Sequence, residues 1–266
     1  MAVTIKTEEE IELMAEAGRL LGLVHEILEK EIRPGITTAQ IDAVGEEAIR
    51  SFNCEPNFLD YNGYPASVCV SVNDEVVHGI PSEDVILQEG DIVSLDTGLI
   101  YKGYHSDAAR TYGVGKISEA KRLLIERTRQ SFFEGIKYAT EGNHLNDVSR
   151  HIGKYCKQFG YGVVKDMVGH GIGTHLHEDP EVPNFAKLRR GVKLQKGMTL
   201  AVEPMINLGT HKIALMEDDW TVVTWDGLAS AHYENTIAIT EGAPRILTLT
   251  PKEIADGFGT VEVIKR

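Results

Sequence analysis

The segments LQEGDIVSLD (residues 87–96) and LQKGMTLAVE (residues 194–203) decide the fold of this chain, because they are two copies of one pattern. An offset of 107 residues superimposes them without a gap, and Asp96 falls on Glu203. Each copy is an apolar run that follows a turn signal and ends in an acid, which is typical of a buried strand. The chain is therefore predicted to contain an internal repeat, with an acid at the end of one apolar strand in each half.

A second pair of segments repeats at a different offset. DAARTYGVG (residues 107–115) superimposes on ENTIAITEG (residues 234–242) at an offset of 127, and Asp107 falls on Glu234. The second half must therefore hold 20 extra residues between its two acids. The alternative is that the repeat records a duplication and that the acids share no chemistry. In that case exposed acids could have been replaced by other residues, yet both positions of each pair are acidic. Two facing halves would bring four carboxylates to a common axis, where a cation must offset their repulsion.

Two pairs of amphipathic helices precede the two strand blocks. The first helix begins after a capping box of Thr7 and Glu10, and RPG at residues 33–35 ends it. Apolar side chains recur at helical spacing in this helix and in the next: Met14, Ala17, Leu21, Val24 and Leu28, then Ile41, Val44, Ala48 and Phe52. Residues 118–140 and 143–160 predict the second pair.

The segment at residues 91–114 predicts a β-hairpin that turns near Lys102–Gly103. Asp96 precedes Lys102 by six residues and Asp107 follows it by five, so the two acids are nearly opposite and face the same side. Two facing carboxylates repel unless one is protonated or a cation lies between them. The hairpin therefore predicts a divalent cation.

The composition limits the classes of function. The chain has 266 residues, a net charge of −13 and 42% hydrophobic residues, which is ordinary for a soluble globular protein. Its acidity disfavours a nucleic-acid-binding surface, and solubility is the plainest explanation of that charge. The sequence has no run of 18 apolar residues, so no membrane span is predicted, and we find no signal-peptide pattern. Three cysteines without a C-x-x-C spacing favour a reducing compartment, so we expect a cytoplasmic protein.

Residues 169–178 read GHGIGTHLHE and hold three histidines, His170, His175 and His177. The glycines would suit a phosphate-binding loop, but the G-x-G-x-x-G pattern and a following helix are missing. Four carboxylates and one imidazole suit a pair of divalent ions such as Mn, Fe, Co or Zn. Two such ions about 3.5–4 Å apart share a water and convert it to hydroxide, which favours hydrolysis. Spacing alone leaves open which histidine is the ligand.

The ordered motifs NDEVVHGIP, SLDTG, HSDAARTY, GHGIGTHLHEDP, AVEPM and AHYENT resemble methionine aminopeptidase, type I, of the bacterial short form, over nearly the whole chain. The resemblance implies the pita-bread fold, an α/β fold of the α+β type. In that fold two pseudo-symmetric halves place a curved antiparallel sheet inside and helices outside. We expect a single catalytic domain, residues 1–266, with halves at about residues 1–115 and 116–250.

The resemblance also implies a reaction, the removal of the initiator methionine from nascent proteins whose second residue is small. Two divalent metal ions, Co, Mn, Fe or Zn, would generate the hydroxide that attacks the scissile carbonyl. Asp96 should chelate one metal, His170 and Glu203 should hold the other, and Asp107 and Glu234 should bridge the two.

The family's two histidines that are not ligands fall on His78 and His177. His177 should donate a hydrogen bond to the substrate carbonyl and to its tetrahedral intermediate. His78 should contact the scissile amide nitrogen, and Glu203 should move a proton from the attacking water to the leaving amine. His175 matches no family role, so we expect it to be structural or exposed.

The methionine side chain of the substrate should lie in an apolar pocket. The resemblance places in this pocket Tyr61, Tyr64, Cys69, Leu176 and Trp220. Ordinary core packing is the alternative interpretation of each of these residues.

The resemblance also implies a monovalent cation, Na or K, near Asn73 and Ser230. Three positions depart from the better-known bacterial members of the family. Leu176 stands where phenylalanine is usual, Asn235 where histidine is common, and Trp225 in a stretch that is usually polar.

Three other functions are less consistent with the sequence. A proline-specific dipeptidase or aminopeptidase of the same fold usually has a large N-terminal domain, whereas the first helix here begins near residue 8. A non-catalytic binding protein would be expected to lose ligands, and all five are present. Charge and motif disfavour a phosphate-binding or nucleic-acid module. We expect a monomer that acts on nascent polypeptide N-termini at the ribosome, with no direct nucleic-acid contact and no membrane partner.

Overall fold

The chain runs from a pair of helices into antiparallel strands and then repeats this order, in a computed structural model that describes residues 3–265. The helices are α1 (Glu8–Glu31), α2 (Thr38–Ser51), α3 (Glu119–Ile136), α4 (Leu145–Lys157) and α5 (Pro251–Ala255), with a 3₁₀ helix at Tyr61–Gly63. The strands of the first half are β1 (Glu55–Pro56), β2 (Val68–Val72), β3 (Glu75–Val77), β4 (Ile92–Tyr101) and β5 (Tyr104–Gly113). Those of the second half are β6 (Gly162–Val163), β7 (Gly169–Gly171), β8 (Glu178–Val182), β9 (Thr199–Val202), β10 (Met205–Asn207), β11 (Ile213–Leu215), β12 (Val222–Thr224), β13 (Ser230–His232), β14 (Asn235–Ala238) and β15 (Arg245–Ile246).

The predicted helices are confirmed. The Thr7 hydroxyl accepts from the Glu10 amide, and the Glu10 carboxylate accepts from the Thr7 amide, so the capping box starts α1 as expected. The apolar residues that recur along α1 are buried, because that face packs on β4 and β5. The helices α3 and α4 pack on each other in the second half, as α1 and α2 do in the first.

The predicted hairpin is β4–β5, and it turns at Lys102 and Gly103, which both have positive φ angles. Asp107 pairs with Gly98, and Asp96 pairs with Ala109. The two acids are therefore diagonal neighbours on one face of the sheet. One expectation was wrong, because Asp96 lies in the middle of β4 and not at the end of an apolar strand. The strand continues to Tyr101 because β5 pairs with it along its whole length.

The second half repeats this hairpin in broken form. The strand β9 pairs with β14, and β10 pairs with β13. Glu203 follows β9 and Glu234 precedes β14, so both acids lie where the paired strands are interrupted. The 20 extra residues contain the hairpin β11–β12, which crosses to the first half and pairs with β3. This crossing carries Trp220 from the second half to the first.

The hydrophobic core divides in the same way as the sequence. One cluster contains residues 17–114 only, and a second contains residues 132–249. A third cluster joins the halves, with Met14 and Cys69 from the first half packed against Ile172 and Leu176 from the second. Within residues 3–265, no helix has the length and apolar composition needed to cross a membrane.

Candidate active site

A cavity of about 400 Å³ opens between the two halves. It brings together all twelve residues that were assigned from the sequence to catalysis, to the divalent cations or to the methionine pocket: Tyr61, Tyr64, Cys69, His78, Asp96, Asp107, His170, Leu176, His177, Glu203, Trp220 and Glu234. These residues come from both halves of the chain, from Tyr61 to Glu234. The cavity is therefore a candidate active site, and His175, which is exposed, does not line it.

Four carboxyl groups crowd the floor of the cavity. Burial raises the pKa of Asp96 to about 7. Burial, together with the charges of Glu234 and Asp96, raises the pKa of Asp107 well above its ordinary value. The pKa values of Glu203 and Glu234 are raised for the same two reasons, burial first and neighbouring carboxylates second. Without a cation, these four groups cannot all be ionised near neutral pH.

The donor set fits divalent cations. Three carboxylate oxygens, Asp96 Oδ1, Asp107 Oδ1 and Glu234 Oε1, are buried and have no hydrogen-bond partner among the described residues. Asp107, His170 and Glu234 each offer a ligand atom, and these atoms lie within 4.8 Å of one another. Buried acceptors of this kind normally have a partner, and a cation supplies it for several oxygens at once. A set of four carboxylates and one imidazole is suited to first-row divalent metals.

His170 has the geometry of a ligand. Its Nδ1 lies 2.9 Å from the carbonyl oxygen of Gly171, to which it donates. The lone pair is therefore left on Nε2, which lies 3.7 Å from an oxygen of Asp107 and 3.7 Å from one of Glu203. Burial lowers the pKa of His170 to about 3, so the imidazole is neutral, as a metal ligand must be. The structure thus favours the ligand role for His170 that spacing alone left open.

His177 has a different partner. Its Nδ1 lies 2.7 Å from the hydroxyl of Tyr61, and the two rings are 5.3 Å apart. Burial raises the pKa of Tyr61, so this hydroxyl keeps its proton, and it donates to Nδ1 in the tautomer of His177 that is protonated on Nε2. The proton of a neutral His177 then lies on Nε2, where it is available to a substrate. His177 is partly exposed, and its partial desolvation lowers its pKa, which favours the neutral form.

His78 lies at the end of β3 with a φ angle of 60°, a left-handed conformation that is rare outside glycine. Burial lowers the pKa of His78 to about 4, with a smaller contribution from His177. Its ring packs edge-on against Trp220 at 6.3 Å. A strained backbone at a cavity wall is typical of residues that a functional site holds in place.

Apolar and aromatic side chains form one end of the cavity. Tyr64 and Trp220 pack edge to face at 5.2 Å, and the Tyr64 hydroxyl donates to the carbonyl of Gly79 at 2.8 Å. Cys69 and Leu176 are buried in the same cluster. A tyrosine whose hydroxyl is satisfied presents only its ring, so this end suits an unbranched apolar side chain.

Sequence reasoning missed three residues at the site. Phe58 and Asn62 also line the cavity. His232 is buried, and its Nε2 lies 3.8 Å from Glu203 and 4.0 Å from Glu234. Neither ring nitrogen of His232 has a partner among the described residues, and burial lowers its pKa to about 3. Its position two residues before Glu234 was a usable signal, because alternate residues of an extended chain face the same side.

A buried arginine links the site to the C-terminal helix. Arg110 forms two hydrogen bonds with the carboxylate of Glu253, at 2.9 and 2.8 Å. It also donates to the carbonyl of Glu234 and to the side-chain oxygen of Asn235, the latter at 2.8 Å. This contact explains why asparagine suits position 235, because its side-chain oxygen is a neutral acceptor for the guanidinium of Arg110. The network fixes the backbone of one candidate ligand.

Trp225 and the segment around Asn73 both lie outside the cavity. Trp225 is 68% exposed and lies away from the cavity, and nothing in the structure explains its choice. The Asn73 carbonyl accepts from the Ser230 amide at 2.8 Å, and the Asn73 side-chain oxygen accepts from Lys121 at 2.7 Å. The monovalent cation near Asn73 and Ser230 stays a prediction.

Comparison with known proteins agrees with this geometry. Metallopeptidase family M24 matches residues 12–241. The methionine aminopeptidase of Clostridium acetobutylicum is 52% identical over 247 residues, which are 93% of this chain and 99% of that protein. The crystal structure of methionine aminopeptidase from Thermotoga maritima is 43% identical, with a TM-score of 0.91. That match covers 93% of this chain and 100% of the other.

A prolidase is also similar, but less so. The prolidase from Pyrococcus furiosus has a TM-score of 0.75 and 25% identity, and the match covers 92% of this chain but 65% of the prolidase. The expected α/β pita-bread fold, with helices outside an antiparallel sheet, is confirmed by these structural neighbours. By the family match, the identity and the coverage together, the chain belongs to metallopeptidase family M24 and, within it, to the methionine aminopeptidases.

Proposed function

We propose that this protein removes N-terminal methionine from polypeptides, prefers a small second residue, and uses two divalent cations to do so. The observation that carries the proposal is the cavity between the halves. It holds four carboxyl groups at one end, three of which have a buried oxygen without a hydrogen-bond partner among the described residues, and an apolar, aromatic lining at the other. Names of similar proteins support the substrate, and the donor set supports the cations.

Five residues would hold the cations: Asp96, Asp107, His170, Glu203 and Glu234. When bound, two divalent cations polarise the scissile carbonyl and lower the pKa of a water that they share. His170 stays neutral because burial lowers its pKa to about 3, and since its Nδ1 donates to a backbone carbonyl it offers Nε2 to the cation. Asp107 and Glu234 come from matching positions of the two halves, which suits a shared role between two cations.

The remaining polar groups suit a peptide bond. The Nε2–H of His177 is free to donate to the carbonyl oxygen of the substrate, where negative charge develops in the transition state. His78 lies on the same cavity and would contact the amide nitrogen of the scissile bond. Glu203, whose pKa burial raises, is suited to accept a proton and pass it to the leaving amine.

The apolar end of the cavity would select methionine. Tyr64, Cys69, Leu176 and Trp220 form a lining without a charged group, so a straight thioether side chain fits it better than a polar one. The preference for a small second residue follows from the resemblance to the methionine aminopeptidases and not from the volume of the cavity. We also propose that the substrate is the nascent chain at the ribosome and that the enzyme acts as a cytoplasmic monomer.

Hydrolysis of a set of tripeptides tests the proposal. Met-Ala-Ser should release methionine in the presence of Mn²⁺, Co²⁺ or Fe²⁺, and a chelator should stop the release. Leu-Ala-Ser should be cleaved at least about tenfold less efficiently in kcat/KM, because one apolar pocket discriminates by about 10- to 200-fold. Met-Lys-Ser should also be cleaved less efficiently, because its second residue is large. Equal cleavage of the three peptides, or preferential cleavage of Ala-Pro, would show that the assignment to methionine is wrong.

A further inference from the structure

A buried ion pair joins the N-terminal segment to the residue that follows His177. The Lys6 ammonium lies 2.6 Å from the carboxylate of Glu178, and the two side chains are only 6% and 3% exposed. The hydroxyl of Thr4 donates to the same carboxylate oxygen at 2.5 Å and also accepts from Lys6. The second oxygen of Glu178 accepts from the backbone amide of His175 at 3.2 Å. Both oxygens of this buried carboxylate are therefore satisfied, and the N-terminal segment satisfies one of them.

The segment that carries His177 is held at two points. Gly173 begins it, and the Gly173 carbonyl accepts from the backbone amide of His105 at 2.8 Å. Glu178 ends it: its backbone begins β8 and pairs with Gly171, and Lys6 holds its carboxylate. The lysine stem also packs on the segment itself, because a Cβ added to Gly173 would lie 2.4 Å from Cε of Lys6. The backbone amide of Lys6 donates to the carbonyl of Gly197 at 2.8 Å, which anchors the N-terminal segment to the loop before β9.

We propose that Lys6 is a positioning residue for catalysis, which acts through Glu178 to hold His177 in register with the cations and the substrate carbonyl. The inference rests on the aminopeptidase activity proposed above. His177 has Tyr61 on one side of its ring, and it directly precedes Glu178 in the chain. A donor to a developing oxyanion must be placed within a fraction of an ångström, so a tether on the adjacent residue affects the rate.

A purely structural role for the pair is less consistent with its location. A buried ion pair often adds little net stability compared with apolar side chains of the same size, and its best-attested use is to fix register. The partners are 172 residues apart in sequence, so the pair connects the start of the chain to one short catalytic segment. The β7–β8 pairing sets the backbone of Glu178, and an apolar contact in place of Lys6 would not fix the orientation of its carboxylate.

Two substitutions at Lys6 test the inference. Lys6→Met removes the ammonium and keeps the length of the stem, and Lys6→Arg keeps the charge. Lys6→Met should lower kcat for Met-Ala-Ser by about 10- to 100-fold, the loss expected when a catalytic donor is misplaced by about 1 Å. KM and bound metal should change by less than about threefold, because the cation ligands and the methionine pocket are untouched. Lys6→Arg should restore at least part of kcat.

The decisive comparison is made with His177→Ala. Because Lys6 acts through His177, Lys6→Met should lower kcat by less than about twofold when His177 is already alanine. Lys196→Met is the matched control, since Lys196 pairs with Glu8 and Glu241 at the surface and should leave kcat unchanged. An equal loss of kcat with and without His177, or a wild-type kcat in Lys6→Met, would overturn the inference.

A neutral version of the pair covers the case in which Lys6→Met does not fold. Lys6→Met combined with Glu178→Gln leaves no unpaired buried charge but still breaks the tether. This double variant should fold and should show the same loss of kcat, and wild-type kcat in it would overturn the inference. Wild-type protein is assayed in the same series. If it releases no methionine with any metal, the proposed function fails first, and this inference fails with it.

Discussion

Replacement of Tyr61 by phenylalanine separates two roles that the cavity gives to one side chain. The ring of Tyr61 lines the cavity, and its hydroxyl lies 2.7 Å from Nδ1 of His177. A hydroxyl that donates to Nδ1 keeps the proton of His177 on Nε2, where a substrate carbonyl can use it. Phenylalanine keeps the ring and removes only this hydrogen bond.

The expected magnitude follows from that single contact. A hydrogen bond of this kind is worth about 0.5–1.5 kcal/mol net, which corresponds to a rate change of about 2- to 13-fold. Complete loss of one oxyanion donor costs about 10²–10³ in kcat, which sets the upper limit. Tyr61→Phe should therefore lower kcat for Met-Ala-Ser by about 2- to 13-fold and change KM by less than about twofold.

Steady-state kinetics with measured metal content tests this expectation. The same substitution is also made in His177→Ala protein, where it should have no further effect on kcat, because the imidazole that it orients is gone. A rise in KM at wild-type kcat would refute the reasoning and would leave Tyr61 as a wall of the methionine pocket. A full loss of kcat in both backgrounds would also refute it.

Three further predictions address the ligands, the pocket and the buried network. His170→Ala should lower metal content, whereas His177→Ala should keep metal and lose about 10²–10³ in kcat; the reverse pattern would exchange the two assignments. Leu176→Phe should raise the preference for methionine over norleucine, because a ring adds a sulfur contact of about 0.3–1.5 kcal/mol; unchanged ratios would show that residue 176 is not in contact with the side chain. Burial alone would raise the pKa of Glu253, but the charge and hydrogen bonds of Arg110 outweigh it and lower the pKa to about 2. Glu253 therefore stabilises the fold above pH 4.5, and this stabilisation is lost as the pH falls towards 2. Glu253→Gln should flatten the pH dependence of the free energy of unfolding in this range, and an unchanged slope would contradict the role of the pair.

The repeated acids could be predicted from the sequence because their signal is local and periodic. Asp96 and Asp107 face the same side of a hairpin whose turn residues are explicit, and the internal repeat carries the same reasoning to Glu203 and Glu234. The error at Asp96 has a physical cause. The strand continues through polar and glycine positions because β5 pairs with it, and a hydrophobic run cannot show that pairing.

The contacts that tune the site could not be predicted in this way. Lys6 meets Glu178 across 172 residues of sequence, and Arg110 meets Glu253 across 143. No pattern of alternation or helical spacing connects residues so far apart. The roles of His170 and His177 also depend on which ring nitrogen carries the proton, and that follows from the Gly171 carbonyl for one and from a tyrosine hydroxyl for the other.

A metal titration tests the central claim most directly. Protein purified without oxygen and stripped of metal is titrated with Co²⁺ or Mn²⁺, and bound metal and methionine release from Met-Ala-Ser are measured on the same samples. We predict no release without metal, a rise in activity with bound metal to two ions per chain, and loss of both metal and activity in Asp107→Asn. Full methionine release by metal-free protein, or by Asp107→Asn without bound metal, would contradict the account.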